Sequence, residues 1–221
     1  MLKICNVSKS FNGVKILDGV SIDVEAHSVV GLAGPSGSGK STLLRCTQKL
    51  ETPDGGAIEY DCKVGFMFQD FQLFPHMTVL QNLVYAPALK AGPDKRKQCI
   101  DKARSILKDL GMEGKALEYP RTLSGGQKQR AALARSLMID PDALLCDEPT
   151  SGLDIATITD VVTLLQSVNK LGVTIVAASH DLDFLTQISD KIALLRGGKI
   201  VTEINPKQRE DPIGYLKGYY G

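Results

Sequence analysis

Apolar strands alternating with amphipathic helices, a glycine-rich loop between one such strand and a helix, and another apolar strand ending in two carboxylates predict an α/β fold. Its sheet is expected to be mostly parallel and flanked by helices, because strands that read as continuous apolar runs belong to sheets covered on both faces.

The elements follow in chain order. Val20, Ile22 and Val24 alternate with Ser21, Asp23 and Glu25, the period-2 pattern of a strand with one buried face. Residues 28–33 form a second strand that runs into the glycine-rich loop, after which Leu43, Leu44, Thr47 and Leu50 recur at helical spacing. Thr52-Pro53-Asp54-Gly55-Gly56 reads as a turn. Over residues 94–110 the apolar positions Cys99, Ile100, Ala103, Ile106, Leu107 and Leu110 make one stripe, stopped by Gly111. Residues 131–138, 158–171 and 182–188 are further helices, separated by apolar strands at 143–146 and 173–178. Residues 192–195 and 199–203 flank Arg196-Gly197-Gly198 as a hairpin, followed by a polar, Tyr-rich tail. The helical stretch 73–135 interrupts the alternation and is expected as a subdomain inserted within a single domain spanning 1–221.

Composition narrows the class. The chain has 221 residues, 43% hydrophobic and 23% charged, and a net charge of +1, which carries no electrostatic footprint for nucleic acid. Its five cysteines are scattered without a C-x-x-C pair, so neither a disulfide framework nor a zinc site is expected. The first residues lack the build of a signal peptide, and no apolar run approaches the ~20 residues of a membrane span, so membrane service would go through a partner.

Gly34-Pro35-Ser36-Gly37-Ser38-Gly39-Lys40-Ser41 fits G-x-x-x-x-G-K-[ST] in the context the mechanism needs, strand before and helix after, which predicts a P-loop NTPase core. Its glycines let successive N–H groups converge on phosphate oxygens, and the helix N-terminus adds positive potential. Lys40 then meets the β and γ phosphates, Ser41 ligates Mg²⁺, and Thr42 adds a phosphate contact. A dinucleotide fingerprint would instead want G-x-G-x-x-G and a later acidic residue for the ribose.

Asp147 and Glu148 end the apolar strand Ala143-Leu144-Leu145-Cys146. Asp147 is the expected metal-side ligand, and strand alternation turns Glu148 to face a water as general base. Taken alone, such a pair is more often a solvated turn. His180 follows another strand at the sheet's carboxyl edge, either as a ligand-facing group or as a helix cap. Ser124-Gly125-Gly126-Gln127 precedes a helix and is either a second anion site or an ordinary Ser124 N-cap.

Together these motifs resemble the ATP-binding subunits of ABC transporters over nearly the whole chain. Leu123 to Gln127 resembles that family's signature, Ser151-Gly152-Leu153-Asp154 its D-loop and His180 its switch histidine. Gln69 is similar to the glutamine that reaches the catalytic metal, and Phe11 to the aromatic that stacks on adenine. The resemblance implies a small antiparallel β subdomain and assigns the 73–135 segment as the signature subdomain. It also implies two identical subunits paired head to tail, with ATP and Mg²⁺ held between one subunit's P-loop and the other's Ser124, Gly125 and Gly126. It further implies transmembrane permease subunits and, indirectly, an extracytoplasmic solute-binding protein as partners, with this subunit at the cytoplasmic face of the inner membrane.

Leu44-Arg45-Cys46, Phe71-Gln72-Leu73-Phe74-Pro75-His76 and Thr78-Val79-Leu80-Gln81-Asn82-Leu83 resemble the importers of polar amino acids. Phe66 and Phe68 are expected in the core, while Phe71, Leu73 and Phe74 line a groove for a helix of the membrane subunit. Between Ile58 and Phe66 the chain is shorter than the family's pattern. The alternatives are an ABC ATPase of another system, such as lipoprotein release, cell division or export, a soluble non-transport ABC ATPase, or a nucleotide-binding module that does not hydrolyse ATP. Glu148 and His180 speak against the last.

Overall fold

The strands that read as uninterrupted apolar runs are the ones at the centre of the molecule. A computed structural model describes residues 1–220. Within it β3 (Val29–Ala33), β6 (Ala143–Asp147) and β7 (Thr174–Ser179) are buried at every residue. With β5 (Val64–Met67), β8 (Lys191–Arg196) and β9 (Lys199–Ile204) they form a six-stranded sheet of order β5-β6-β7-β3-β8-β9. All neighbouring pairs are parallel except β8 with β9, the expected hairpin.

A separate antiparallel sheet of order β2-β1-β4 is built from β1 (Leu2–Phe11), β2 (Val14–Val24) and β4 (Gly55–Tyr60). Its apolar face and α1 (Lys40–Thr47) cover one side of the large sheet, so Val7, Leu17 and Val20 share a core with Leu32, Leu43, Leu145 and Val176. On the opposite side α5 (Ile155–Lys170) and α6 (Leu182–Ile188) pack through Val161, Leu165, Phe184 and Leu185 against Val29, Cys146 and Ile175. Three helices have a core of their own. In α2 (Val79–Ala91), α3 (Arg96–Asp109) and α4 (Gly125–Leu137), residues Leu83, Ala103, Leu107, Ala131 and Ala134 meet each other. Ser136 fastens α4 to the sheet by donating to the Phe66 carbonyl at 2.8 Å.

Several elements differ from the sequence reading for local reasons. β1 escapes notice because Asn6 has a φ of 52° and the pairing register shifts there, so the apolar beat Leu2, Ile4 resumes at Val7 rather than at residue 6. Leu50 lies beyond the helix rather than on its stripe. α1 ends at Thr47, Lys49 is left-handed at φ 62°, and Leu50 is 54% exposed. The turn expected at residues 52–56 gives way at Gly55, where β4 begins. α4 starts six residues before the expected 131 because Ser124 and Gln127 cap each other's backbone N–H, which offsets the poor helix propensity of the glycines. The tail is ordered as α7 (Pro212–Lys217), and Tyr215, Tyr219 and Tyr220 pack against the α5/α6 core. Among the described residues no helix is long and apolar enough to cross a membrane.

Candidate functional site

β3 delivers the chain to the loop at the carboxyl edge of the large sheet, and α1 carries it away. Gly37 and Gly39 have φ of 79° and 105°, conformations closed to most side chains. A Cβ at Gly39 would sit 2.9 Å from the Ile16 carbonyl oxygen, so β2 presses on the loop from outside. Gly39 is the N-cap of α1 and offers no side chain to its first turn, leaving those amides for a ligand.

Four charged or hydroxyl groups interlock beneath this loop. Lys40 is only 5% exposed, and its ammonium donates to the carbonyls of Gly34 at 2.7 Å and Pro35 at 3.2 Å. It also pairs with Glu148 Oε1 at 3.2 Å. The Ser41 hydroxyl donates to Asp147 Oδ1 at 2.8 Å. Burial pushes the Asp147 carboxyl above its ordinary range, the Ser41 hydrogen bond pulls it back, the Glu148 charge raises it again, and the Arg45 and Lys40 charges lower it. Beside them, burial drives the Cys146 thiol up to about 12, which leaves it an inert packing group.

Glu148 does not obey strand alternation. It lies one residue past β6 with a φ of 47°, and this left-handed turn swings its carboxylate back over the site. Oε2 is 2.9 Å from His180 Nδ1, 3.3 Å from the Ser179 hydroxyl and 3.4 Å from the His180 N–H. Asp147 and Glu148 therefore converge on consecutive loop residues, Ser41 and Lys40, instead of facing apart.

A cleft of about 510 Å³ opens above these groups, lined by Ser36 to Thr42, Gln69, Glu148 and His180, with Phe11 and Ile16 as its apolar walls. Lys9 stands 5.2 Å from the centre of the Phe11 ring. The Gln69 amide reaches Ser151 Oγ at 3.5 Å. Gly34, Pro35 and Asp147 form the floor through the contacts just described. Ile16 and Ser179 were missed by the sequence reading. Ile16 belongs to a strand edge whose apolar pattern gives no hint of a ligand, and Ser179 reads as the end of a buried strand. Gln129 was missed too; it is 2% exposed and donates to the Pro149 carbonyl, bracing the turn after Glu148.

The second glycine loop lies outside the cleft. Ser124 Oγ accepts from the Gln127 N–H at 3.3 Å and Gln127 Oε1 accepts from the Ser124 N–H at 3.0 Å, so within one chain the capping reading holds. A Cβ on Gly126 would come within 2.8 Å of Thr157 Cγ2, and one on Gly125 within 3.2 Å of Leu153. The loop is thus backed by the start of α5, with Ser124 and Gly125 exposed.

Of the aromatic run, Phe66 and Phe68 join the core, as expected, with ring centres 4.5 Å apart and planes tilted by 53°. The expected groove is only partly present. Phe71 packs on the α5/α6 core and Leu73 on the three-helix core, while Phe74 is 41% exposed beside Tyr85. Phe71 and Gln72 are both left-handed, and the Arg135 guanidinium holds their carbonyls at 2.8 and 2.6 Å.

Comparison with known proteins points one way. The family model described as ABC transporter matches residues 17–151. The chain is 38% identical to the arginine transport ATP-binding protein ArtM of Bacillus subtilis, covering 94% of this chain and 92% of that one. It is 37% identical to the glutamine transport ATP-binding protein GlnQ of the same organism at the same coverage. To the L-cystine transport system ATP-binding protein TcyN of Escherichia coli it is 36% identical, over 91% of this chain and 89% of that one. Among solved structures, the dimeric ATP-binding cassette MJ0796 in a post-hydrolysis state with ADP and Pi superposes with a TM-score of 0.84 at 32% identity, covering 93% of this chain and 99% of that one.

Proposed function

The chain belongs to the ABC transporter family as an ATP-hydrolysing subunit, and from that premise we propose that ATP is bound and cleaved in the cleft over Lys40. The observation that carries this reading is the convergence of Lys40, Ser41, Asp147 and Glu148 under one loop of open amides. The triphosphate lies along residues 36–42, and Phe11 offers a ring face to the base. Lys40 exchanges its Glu148 partner for the β and γ phosphates, which frees the carboxylate. Glu148 then accepts a proton from the water that attacks the γ-phosphorus as the bond to the β-phosphate oxygen breaks, and His180 Nδ1 orients the other carboxylate oxygen. The Ser41 hydroxyl and Asp147 fit Mg²⁺, a hard cation that takes one or two protein oxygens and completes its shell with phosphates and water; Gln69 is within the same cleft. Bound there, Mg²⁺ neutralises charge that builds on the transferring phosphoryl group.

The second loop supports a head-to-tail pair in which Ser124, Gly125, Gly126 and Gln127 of one subunit close over the nucleotide of the other. Exposed Ser124 and Gly125 are placed to reach outward, and ATP drives pairing because it adds contacts only in the closed state. The subunit acts at the cytoplasmic face of the inner membrane, carried there by permease subunits, with an extracytoplasmic solute-binding protein on the far side. Relatives named for arginine, glutamine and cystine support a polar amino acid as the cargo.

Glu148→Gln tests the chemistry. Phosphate release should fall by about 10²–10⁴-fold while ATP is retained. Undiminished turnover would remove Glu148 from its role. Stimulation of the reconstituted transporter by a panel of amino acids checks the cargo.

A further inference from the structure

The carboxyl end of β7 holds Glu148 by backbone and by side chain. The Ala178 carbonyl accepts the Glu148 N–H at 2.9 Å. One residue on, Ser179 is fully buried and lies outside the lining of the cleft. Its Oγ accepts the Asp181 N–H at 3.0 Å, and Asp181 in turn caps α6 by accepting the Phe184 N–H at 3.0 Å. The other hydrogen-bond partner of Ser179 Oγ is Glu148 Oε2 at 3.3 Å, and a carboxylate oxygen offers only lone pairs. The hydroxyl proton is therefore aimed at Oε2. The two oxygens of Glu148 are thus treated differently. Oε2 is met by the Ser179 hydroxyl, by His180 Nδ1 at 2.9 Å and by the His180 N–H at 3.4 Å. Oε1 pairs with the Lys40 ammonium at 3.2 Å. A non-glycine residue at φ 47° keeps its pose through its surroundings, so these ties decide where the carboxylate points.

We propose that Ser179 is a positioning residue for the hydrolysis: together with His180 it pins Glu148 Oε2, so that Oε1 is the oxygen that takes the proton of the attacking water. The inference rests on Glu148 acting as the base. When Lys40 turns to the β and γ phosphates, Oε1 loses that partner while Oε2 keeps its own. The water gives its proton to Oε1 and its oxygen to the γ-phosphorus, and the electron pair of the broken bond stays on the β-phosphate oxygen. The two side chains that hold Oε2 differ in their footing. His180 has a side chain 57% exposed, whereas Ser179 ends a strand that is buried at every residue and paired on both sides. The hydroxyl is the fixed member of the pair, and a base held by a rigid element stays aligned with the water it must reach.

In the full chain, Ser179→Ala removes the hydroxyl at a place the nucleotide does not touch. It should lower kcat for ATP hydrolysis by about 10-fold, the scale of one hydrogen bond to a charged group, with KM within about twofold of wild type. Ser179→Cys keeps the size and a weaker donor, so its loss should be smaller, about threefold; it also carries the test should the alanine variant fail to fold. The decisive readout is the double variant. With Glu148→Gln in place there is no base left to orient, and adding Ser179→Ala should lower single-turnover hydrolysis no further. The same fractional loss with and without Glu148 would mark a merely structural role through the Asp181 cap and overturns the proposal, as does an unchanged kcat in both single variants. Failure of the base reading would look different, since Glu148→Gln alone would then turn over as wild type does.

Discussion

The two glycine loops of this chain share a design and differ in what becomes of their amides. Each follows an extended segment and opens a helix. At the first, Gly39 caps α1 with nothing but backbone, and a buried lysine and two carboxylates gather beneath it. At the second, Ser124 and Gln127 close a reciprocal capping box, and the surroundings are Leu153 and Thr157. The first loop is a complete half-site within one chain. The second has spent two of its donors on itself and keeps an exposed rim, the part that would face the other subunit in the pair proposed above.

Lys40→Ala should sharpen this contrast most. Removing charge-assisted bonds to phosphate weakens ATP binding by about 10²-fold, while Ser124→Ala leaves the affinity of the isolated subunit within about twofold, both readable by equilibrium titration. Gly39→Ala comes next, because its φ of 105° and the close Ile16 carbonyl make a Cβ strained. A loss of roughly 1–3 kcal/mol is expected by thermal unfolding. Ser124→Ala should cost about 1 kcal/mol through the lost cap, or about 2–4 °C in Tm, with turnover falling only where subunits pair. The smallest effect belongs to Gly126→Ala. Its Cβ would come 2.8 Å from Thr157 Cγ2, a side-chain rather than a backbone atom, so Thr157 must shift, and the gain in helix propensity offsets part of that crowding; Tm should move by less than about 2 °C. Equal losses at Gly39 and Gly126 would break the comparison.

Much of this was legible from residues 29–42 and 143–148, where buried strands and the spacing of glycines, lysine and serine leave few alternatives. The parallel sheet followed from runs with no polar break. What escaped reading depends on backbone conformations the side chains do not announce. The Asn6 bulge hides β1, the left-handed turn at Glu148 defeats simple alternation, and the capping box starts α4 before its apolar stripe does. The tail was opaque because tyrosines spaced along a polar segment show no period, although three of them pack on the core.

The Arg135 side chain spans two bodies of the fold. It grows from the helix that the second loop opens and grips two consecutive carbonyls of the strand-to-helix connection that leads to Phe74. A planar fork with two anchor points resists rotation as well as stretching. A tilt of that helix would have to stretch or break both bonds, so the helix capped by Ser124 and the residues that lead to the exposed Phe74 are joined by a two-point tie rather than by a loose loop.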